Sequence, residues 1–454
     1  MHIPWGGAEN IYRRVGLSFQ HLDKEHWRIH CVCRLSFTNF SPDDRLRSLR
    51  NAWKSLVIEF PRLAVRPNGT TSKIYRVLSD ETDVENWANE SFFVELEKTP
   101  GDVVRTLGPC DLPSLHFLPA SSEIVLLTSH WRMDGVGALM LLDRLLTLVV
   151  LEGHSTIPSS PENQCLRVSP SLEDAANCPP MDASPASTML KSYANSWIDN
   201  MHRQAINASG LPYNGDNTTP PGDTTQETMN LTPSATKALM IACKSKAISI
   251  SAAVHAALAQ TVFSLSPEDD KSDYTTVMAV NLRPYLPPPY NGPDHAVQTY
   301  VASIIPTVPR NQKLTEAAQD LTRTYRNWYS EEFIRALRWI YTIHAERLFK
   351  SPPKPSGGRP KPPSGVTLSS LGVVEGFLKG AYDGKGKGVM VEQFSFGVTM
   401  MTRQMLLYVW TFAGRLTLSL CYNEAYYQEA MAREVLERLR DFLESELAVS
   451  LDVE

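Results

Sequence analysis

His130, Asp134 and Gly135 lie together in the stretch Ser129-His130-Trp131-Arg132-Met133-Asp134-Gly135, a His-x-x-x-Asp-Gly spacing. A neutral imidazole within reach of a hydroxyl can take its proton while the oxygen attacks a carbonyl carbon. Such a base speeds transfer by roughly 10²–10⁴-fold. The stretch reads as the general-base turn of an acyl transfer, with His130 as the base. Gly135 would permit a backbone conformation or a close approach that a Cβ would block. No Gly-x-Ser-x-Gly elbow marks a serine nucleophile. No Gly-x-Gly-x-x-Gly or Walker loop marks a nucleotide site. No Cys/His cluster has zinc spacing, so no metal is expected.

His-x-x-x-Asp alone arises often by chance, and its weight here comes from the elements around it. The apolar run 124–128 predicts a strand that delivers the histidine, paired with another at 112–118. The run after Gly135 predicts a helix over 136–151 that is apolar on nearly all sides and therefore buried. A strand is expected at 27–37, then a helix capped by Ser41 with Pro42 at its first position, its apolar face running from Leu46 to Phe60. Residues 62–65 and 72–77 read as a hairpin. The second half adds strands near 227–231, 274–280, 297–305, 365–370, 389–397, 404–412 and 415–422. Its helices are expected at 232–246, about 249–262, most of 314–349, and 427–447. Ser395 and Thr399, on or just after a strand expected in the second lobe, are candidates for an oxyanion or substrate contact.

A chain of 454 residues exceeds one core, so two lobes are expected: 1–187 with the histidine motif, a connection at 188–226 that holds a helix at 189–207, and 227–454. Residues 153–187 are rich in Pro, Ser and Asn and read as a surface connection; 351–364 read as a loop. A net charge of -5, with 43% apolar and 20% charged residues, fits a globular protein without a general basic surface for nucleic acid. The longest apolar run is interrupted by Asp143 and Arg144 and is too short to span a bilayer. The N-terminus shows no secretory pattern, and the seven cysteines read as reduced core thiols. A cytoplasmic monomer acting on small molecules is the expectation.

These motifs resemble those of the superfamily of chloramphenicol acetyltransferase, peptide-synthetase condensation domains and plant BAHD acyltransferases. The resemblance is nearest to fungal trichothecene 15-O-acetyltransferase-like enzymes. It rests on Ser129 to Gly135, and more loosely on Asn281-Leu282-Arg283-Pro284-Tyr285, Leu368 to Gly372, Ser395-Phe396-Gly397 and Tyr422-Asn423-Glu424. Condensation domains carry a second histidine where Ser129 stands. BAHD enzymes carry Asp-Phe-Gly-Trp-Gly where this chain has Phe394-Ser395-Phe396-Gly397-Val398. Both strict subfamilies are thereby disfavoured.

The resemblance implies an α/β fold of two chloramphenicol-acetyltransferase-like lobes, each a mixed sheet with helices, and a tunnel between them. It implies direct transfer from acetyl-CoA or another acyl-CoA to a hydroxyl of a small secondary metabolite, without an acyl-enzyme. It also implies that Asp134 faces away from substrate and pairs with Arg283 to fix the turn. Two other readings stay open. The same histidine could serve a cyclase or dehydratase of a polyketide or terpenoid without CoA, and the chain could be a binding protein without catalysis. A thermal shift with CoA separates the first from transfer; substitution of His130 separates the second.

Overall fold

The computed structural model describes residues 1–106, 108–153, 155–158, 160–206, 208–267, 270–349 and 363–454. The loop expected at 351–364 falls outside these residues except for its last two. The chain forms two compact units that interleave along the sequence. The first comprises Met1–Ala176, Asn281–Val301 and Val374–Val398; the second comprises Asn177–Val280, Ala302–Val373 and Thr399–Glu454.

The first unit is built on a six-stranded mixed sheet. Its middle consists of β1 (Ile29–Thr38), β2 (Glu123–Thr128) and β3 (Lys387–Val398). Ala381–Gly384 lies outside β3, and Ser114–Leu118 and then Phe92–Val94 lie beyond β2. β1 runs antiparallel to both β2 and β3, and Phe92–Val94 runs parallel to Ser114–Leu118. All six residues of β2 are buried. The capped helix forms as expected over Pro42–Glu59, with Ser41 Oγ accepting from Asp44 N at 3.1 Å. The segment 62–77 differs from the expected hairpin. Pro61–Ala64 is a 3-10 turn, and the short strands Arg66–Asn68 and Ser72–Ile74 are joined by His2–Pro4.

Two further helices frame the site: α1 (Gly7–Gly16), absent from the sequence reading, and α2 (Gly135–Leu151), which starts one residue before the expected position. α2 is apolar nearly all round, and Ala138, Leu139, Leu142, Leu145, Leu146 and Val149 are buried.

The second unit has a four-stranded mixed sheet in the order Val366–Val373, Met405–Phe412, Arg415–Asn423, Thr224–Asn230; its first pair is parallel. Its core gathers Leu368, Leu407, Leu418 and Leu420 from the sheet with Leu258 of helix Ile250–Leu265 and Leu436 and Leu439 of helix Glu429–Leu447. The long helical stretch expected at 314–349 is two helices, Leu314–Asn327 and Glu331–Phe349. Among the described residues no single helix is long and apolar enough to cross a membrane.

Three expectations need correction. The strand at 389–397 belongs to the sheet of the first unit, where Ser395 pairs with Val32 and Gly397 with His30. Alternation of apolar residues defines a strand but not its neighbour, which long-range pairing selects. The lobes consequently do not follow a cut at 188–226. That region carries most of the helix Pro185–Ile206, which packs on Glu331–Phe349 within the second unit. Finally, 153–187 is more than a surface connection. It holds the short helices Pro161–Leu166 and Leu172–Ala175, and Gln164, Ser169, Leu172 and Glu173 are buried.

Candidate active site

β2 carries the chain to Ser129, where it turns; Arg132 N donates to Ser129 O at 3.0 Å. The turn is pinned from within. Arg132, 1% exposed, donates to the carbonyls of Arg62 at 2.7 Å, Val65 at 2.8 Å and Asp111 at 2.6 Å. Trp131 packs edge-on against Trp5, ring centroids 5.0 Å apart. Ser129 offers its hydroxyl to the buried carboxyl of Glu25. Burial raises the pKa of that carboxyl, while Arg28, Ser129, Arg132 and Arg13 act in the opposite direction.

Asp134 caps α2 and is 1% exposed. Oδ1 accepts from Gly137 N at 2.8 Å and Oδ2 from Tyr300 N at 2.7 Å. Arg283 Nη1 donates to both oxygens at 2.9 Å. A carboxylate offers about four lone-pair sites, so these four contacts leave Asp134 no capacity for a substrate. Arg283 is 1% exposed, not a surface side chain, but its pairing is not the two-nitrogen fork a bidentate bond would make. Nη2 instead donates to Gln298 O at 2.9 Å.

A steric demand for glycine stands two residues after Gly135. Gly135 opens α2 and is not among the glycines with positive φ. A Cβ on Gly137 would stand 2.2 Å from Ala296 O and 3.1 Å from Arg283 Nη2. The chain at 296–300 thus presses directly on the start of α2. Of the expected strand 297–305, Val301–Ile304 forms. The backbone groups before it serve the site: Gln298 O receives Arg283, Tyr300 N binds Asp134, and Thr299 Oγ1 donates to His130 O.

His130 therefore sits on a turn fixed on both sides, and its ring is half-buried. Nδ1 is buried with no hydrogen-bond partner among the described residues. The Tyr12 ring stacks on the imidazole, centroids 4.0 Å apart and planes 1° apart. Burial lowers the pKa of His130 below the ordinary histidine value; its own backbone carbonyl and Asp134 act against that shift. That shift favours the neutral form of the ring near pH 7.

Ser395 is not brought to this point. The register sets it level with Val32 and Val125, three residues short of Thr128 and two strands away. That is roughly 10 Å along the strand and roughly 10 Å across it. Thr399 opens the Thr399–Glu454 segment of the second unit. Tyr12, Gly137, Gln298, Thr299 and Tyr300 escaped the sequence reading. Only the capping Glu9 of 1–16 offered a local signal for the helix that brings Tyr12.

Two other histidines, His116 and His255, have structural surroundings. His116 bonds Glu95 at 2.9 Å and Ser114 at 3.0 Å, and His255 is enclosed by Tyr274 and Tyr325.

The family model for the phthiocerol/phthiodiolone dimycocerosyl transferase C-terminus matches residues 220–421. The chain is 47% identical to the O-acetyltransferase pigM of Monascus ruber over 450 residues, covering 98% of this chain and 85% of that one. It is 44% identical to azaphilone biosynthesis cluster protein M of Aspergillus terreus over 448 residues, covering 98% and 95%. The solved trichothecene 15-O-acetyltransferase TRI3 of Fusarium sporotrichioides shares its fold, with a TM-score of 0.78 at 16% identity, covering 97% of this chain and 95% of that one.

Proposed function

The chain belongs to the family of fungal acetyltransferases that includes pigM of Monascus ruber, and from that premise we propose that it moves an acetyl group from acetyl-CoA to a hydroxyl of a small polyketide of the azaphilone kind, with His130 as general base. The enzyme class, an acyltransferase of secondary metabolism, follows from the family. The donor, the acceptor and the proton path are our reading.

The observation that carries the base role is the setting of His130. Its ring is half-buried, its pKa is lowered by burial, and its backbone is held at the carbonyl by Thr299. With Nδ1 enclosed, Nε2 is the nitrogen left to meet a hydroxyl, and Nδ1 then carries the ring proton. Nε2 takes the acceptor's proton as its oxygen attacks the thioester carbonyl. The C–O bond forms, the C–S bond breaks, and the imidazolium returns the proton to the departing thiolate. Two reactants held in one frame lower the entropic part of the barrier. A covalent thiol route is disfavoured at β1, where burial raises Cys31 far and Cys33 to about 12, so neither offers a thiolate.

The test is thiol release from acetyl-CoA with hydroxylated azaphilone-type acceptors, comparing the native protein with His130→Ala. A loss of roughly 10²-fold or more is expected, with near-UV circular dichroism unchanged. Transfer within tenfold of native would remove His130 from the chemistry. The donor is tested separately by thermal shift: absence of stabilisation at millimolar CoA would exclude it.

A further inference from the structure

We propose that Tyr12 is a positioning residue for His130, its ring face fixing the plane of the imidazole and stabilising the imidazolium that forms when His130 accepts a proton. The proposal rests on the general-base reading of His130. The two rings are parallel within 1° at 4.0 Å, so any positive charge on His130 lies over the face of the phenol. That face carries the negative lobe of the aromatic quadrupole and attracts a cation far more than a neutral ring. The attraction therefore grows as the proton moves, and a contact that strengthens in the transition state accelerates the step.

Tyr12 is built to hold this place. It sits three residues after Glu9 on α1, on the same side of the helix. Glu9 is fully buried and ion-paired to both Arg62 and Lys73, and it accepts from Gly6 N at 2.8 Å and Gln298 Nε2 at 3.2 Å. Ala8 N donates to the buried Glu173 at 2.9 Å, so the first turn of α1 is tied down twice. Trp27 approaches the Tyr12 ring, centroids 6.2 Å apart. Trp27 has φ +61°, a costly backbone conformation for a bulky side chain, and stacks on His26 at 4.7 Å.

The hydroxyl of Tyr12 stays protonated, since burial and the Asp134 carboxylate both raise its pKa. Asp134, paired with Arg283, is the charge that acts on His130; Glu25 reaches the neighbouring Ser129, and Arg28, Arg132 and Arg13 act on Glu25.

The test is proton NMR titration of the His130 ring, assigned with His130→Gln, in the native protein, Tyr12→Phe and Tyr12→Leu. Leu keeps apolar cover but has no ring face; its His130 midpoint is expected to fall by roughly half to one pH unit. Phe keeps the face and should titrate with the native protein. A fluorinated phenylalanine at position 12 preserves size while cancelling the quadrupole, and it should behave like Leu even if Tyr12→Leu does not fold. A midpoint in Leu or in the fluorinated variant at or above the native one overturns the proposal. So does a Phe variant that shifts as Leu does. The titration needs no substrate: if His130→Ala kept full transfer, the base reading would fall while the ring shift still reported on the stack.

Discussion

Replacing Asp134 with asparagine separates charge from capping at the turn. Asparagine caps helices about as well as aspartate, and its Oδ1 can still accept from Gly137 N, the 2.8 Å bond of the native cap. Its amide nitrogen would then face Tyr300 N and Arg283 Nη1, both donors, at the place where Oδ2 accepts at 2.7 and 2.9 Å. The substitution leaves a guanidinium that is 1% exposed without its counter-charge. Removing one partner of a buried pair costs about 3–5 kcal/mol. That is a large share of the stability of a domain, about 5–15 kcal/mol.

The assay is urea unfolding followed by tryptophan fluorescence, because Trp5 and Trp131 pack beside the turn. Arg283→Met provides the second arm. If the buried charge is the source of the loss, the double variant loses less than the two singles added together, with a coupling of about 0.5–3 kcal/mol. A single-variant loss under about 1 kcal/mol, the size of an ordinary neutral hydrogen bond, would refute the view that Asp134 and Arg283 hold the turn as a charged pair. So would additive losses.

Other outcomes follow from the same geometry. Gly137→Ala places a methyl group 2.2 Å from Ala296 O and forces backbone to move; it should cost about 1–3 kcal/mol in the same unfolding assay. Because burial lowers the pKa of His130, the acid limb of kcat/KM should lie below the ordinary histidine value of about 6.5. Activity is then flat from neutral pH down to that value and falls only as the imidazole protonates; a limb above it would contradict the site. Ser395→Ala should leave initial rates within about threefold, whereas loss of a true oxyanion donor would cost roughly 10²–10³-fold.

The strand–turn–helix around His130 was legible because its signals are local. An apolar run ends at Thr128, a turn follows, and a helical apolar run begins after Asp134, itself a good cap. The pairing of Asp134 with Arg283 was legible only through the family pattern, and its one-nitrogen geometry was not. Ser395 was misplaced because a strand pattern carries no label for its sheet. Segment 297–300 reads as strand by composition, yet Tyr300 N goes to Asp134 and Gln298 O to Arg283 instead of a ladder. The need for Gly137 cannot be read locally, since the carbonyl that excludes a Cβ belongs to Ala296.

The sequence by itself determined the chemistry available at the turn: a histidine, a carboxylate that caps a helix, and the buried strand and helix that hold them. Hydrophobic periodicity and capping act over a few residues, so they are written where they act. Tertiary structure decided what surrounds the histidine. Tyr12 meets it from an N-terminal helix, Thr299 reaches its carbonyl from 169 residues away, and Arg283 reaches Asp134 from 149 residues away. Such contacts follow from packing density and buried-charge satisfaction across the whole unit, which no local stretch of sequence contains.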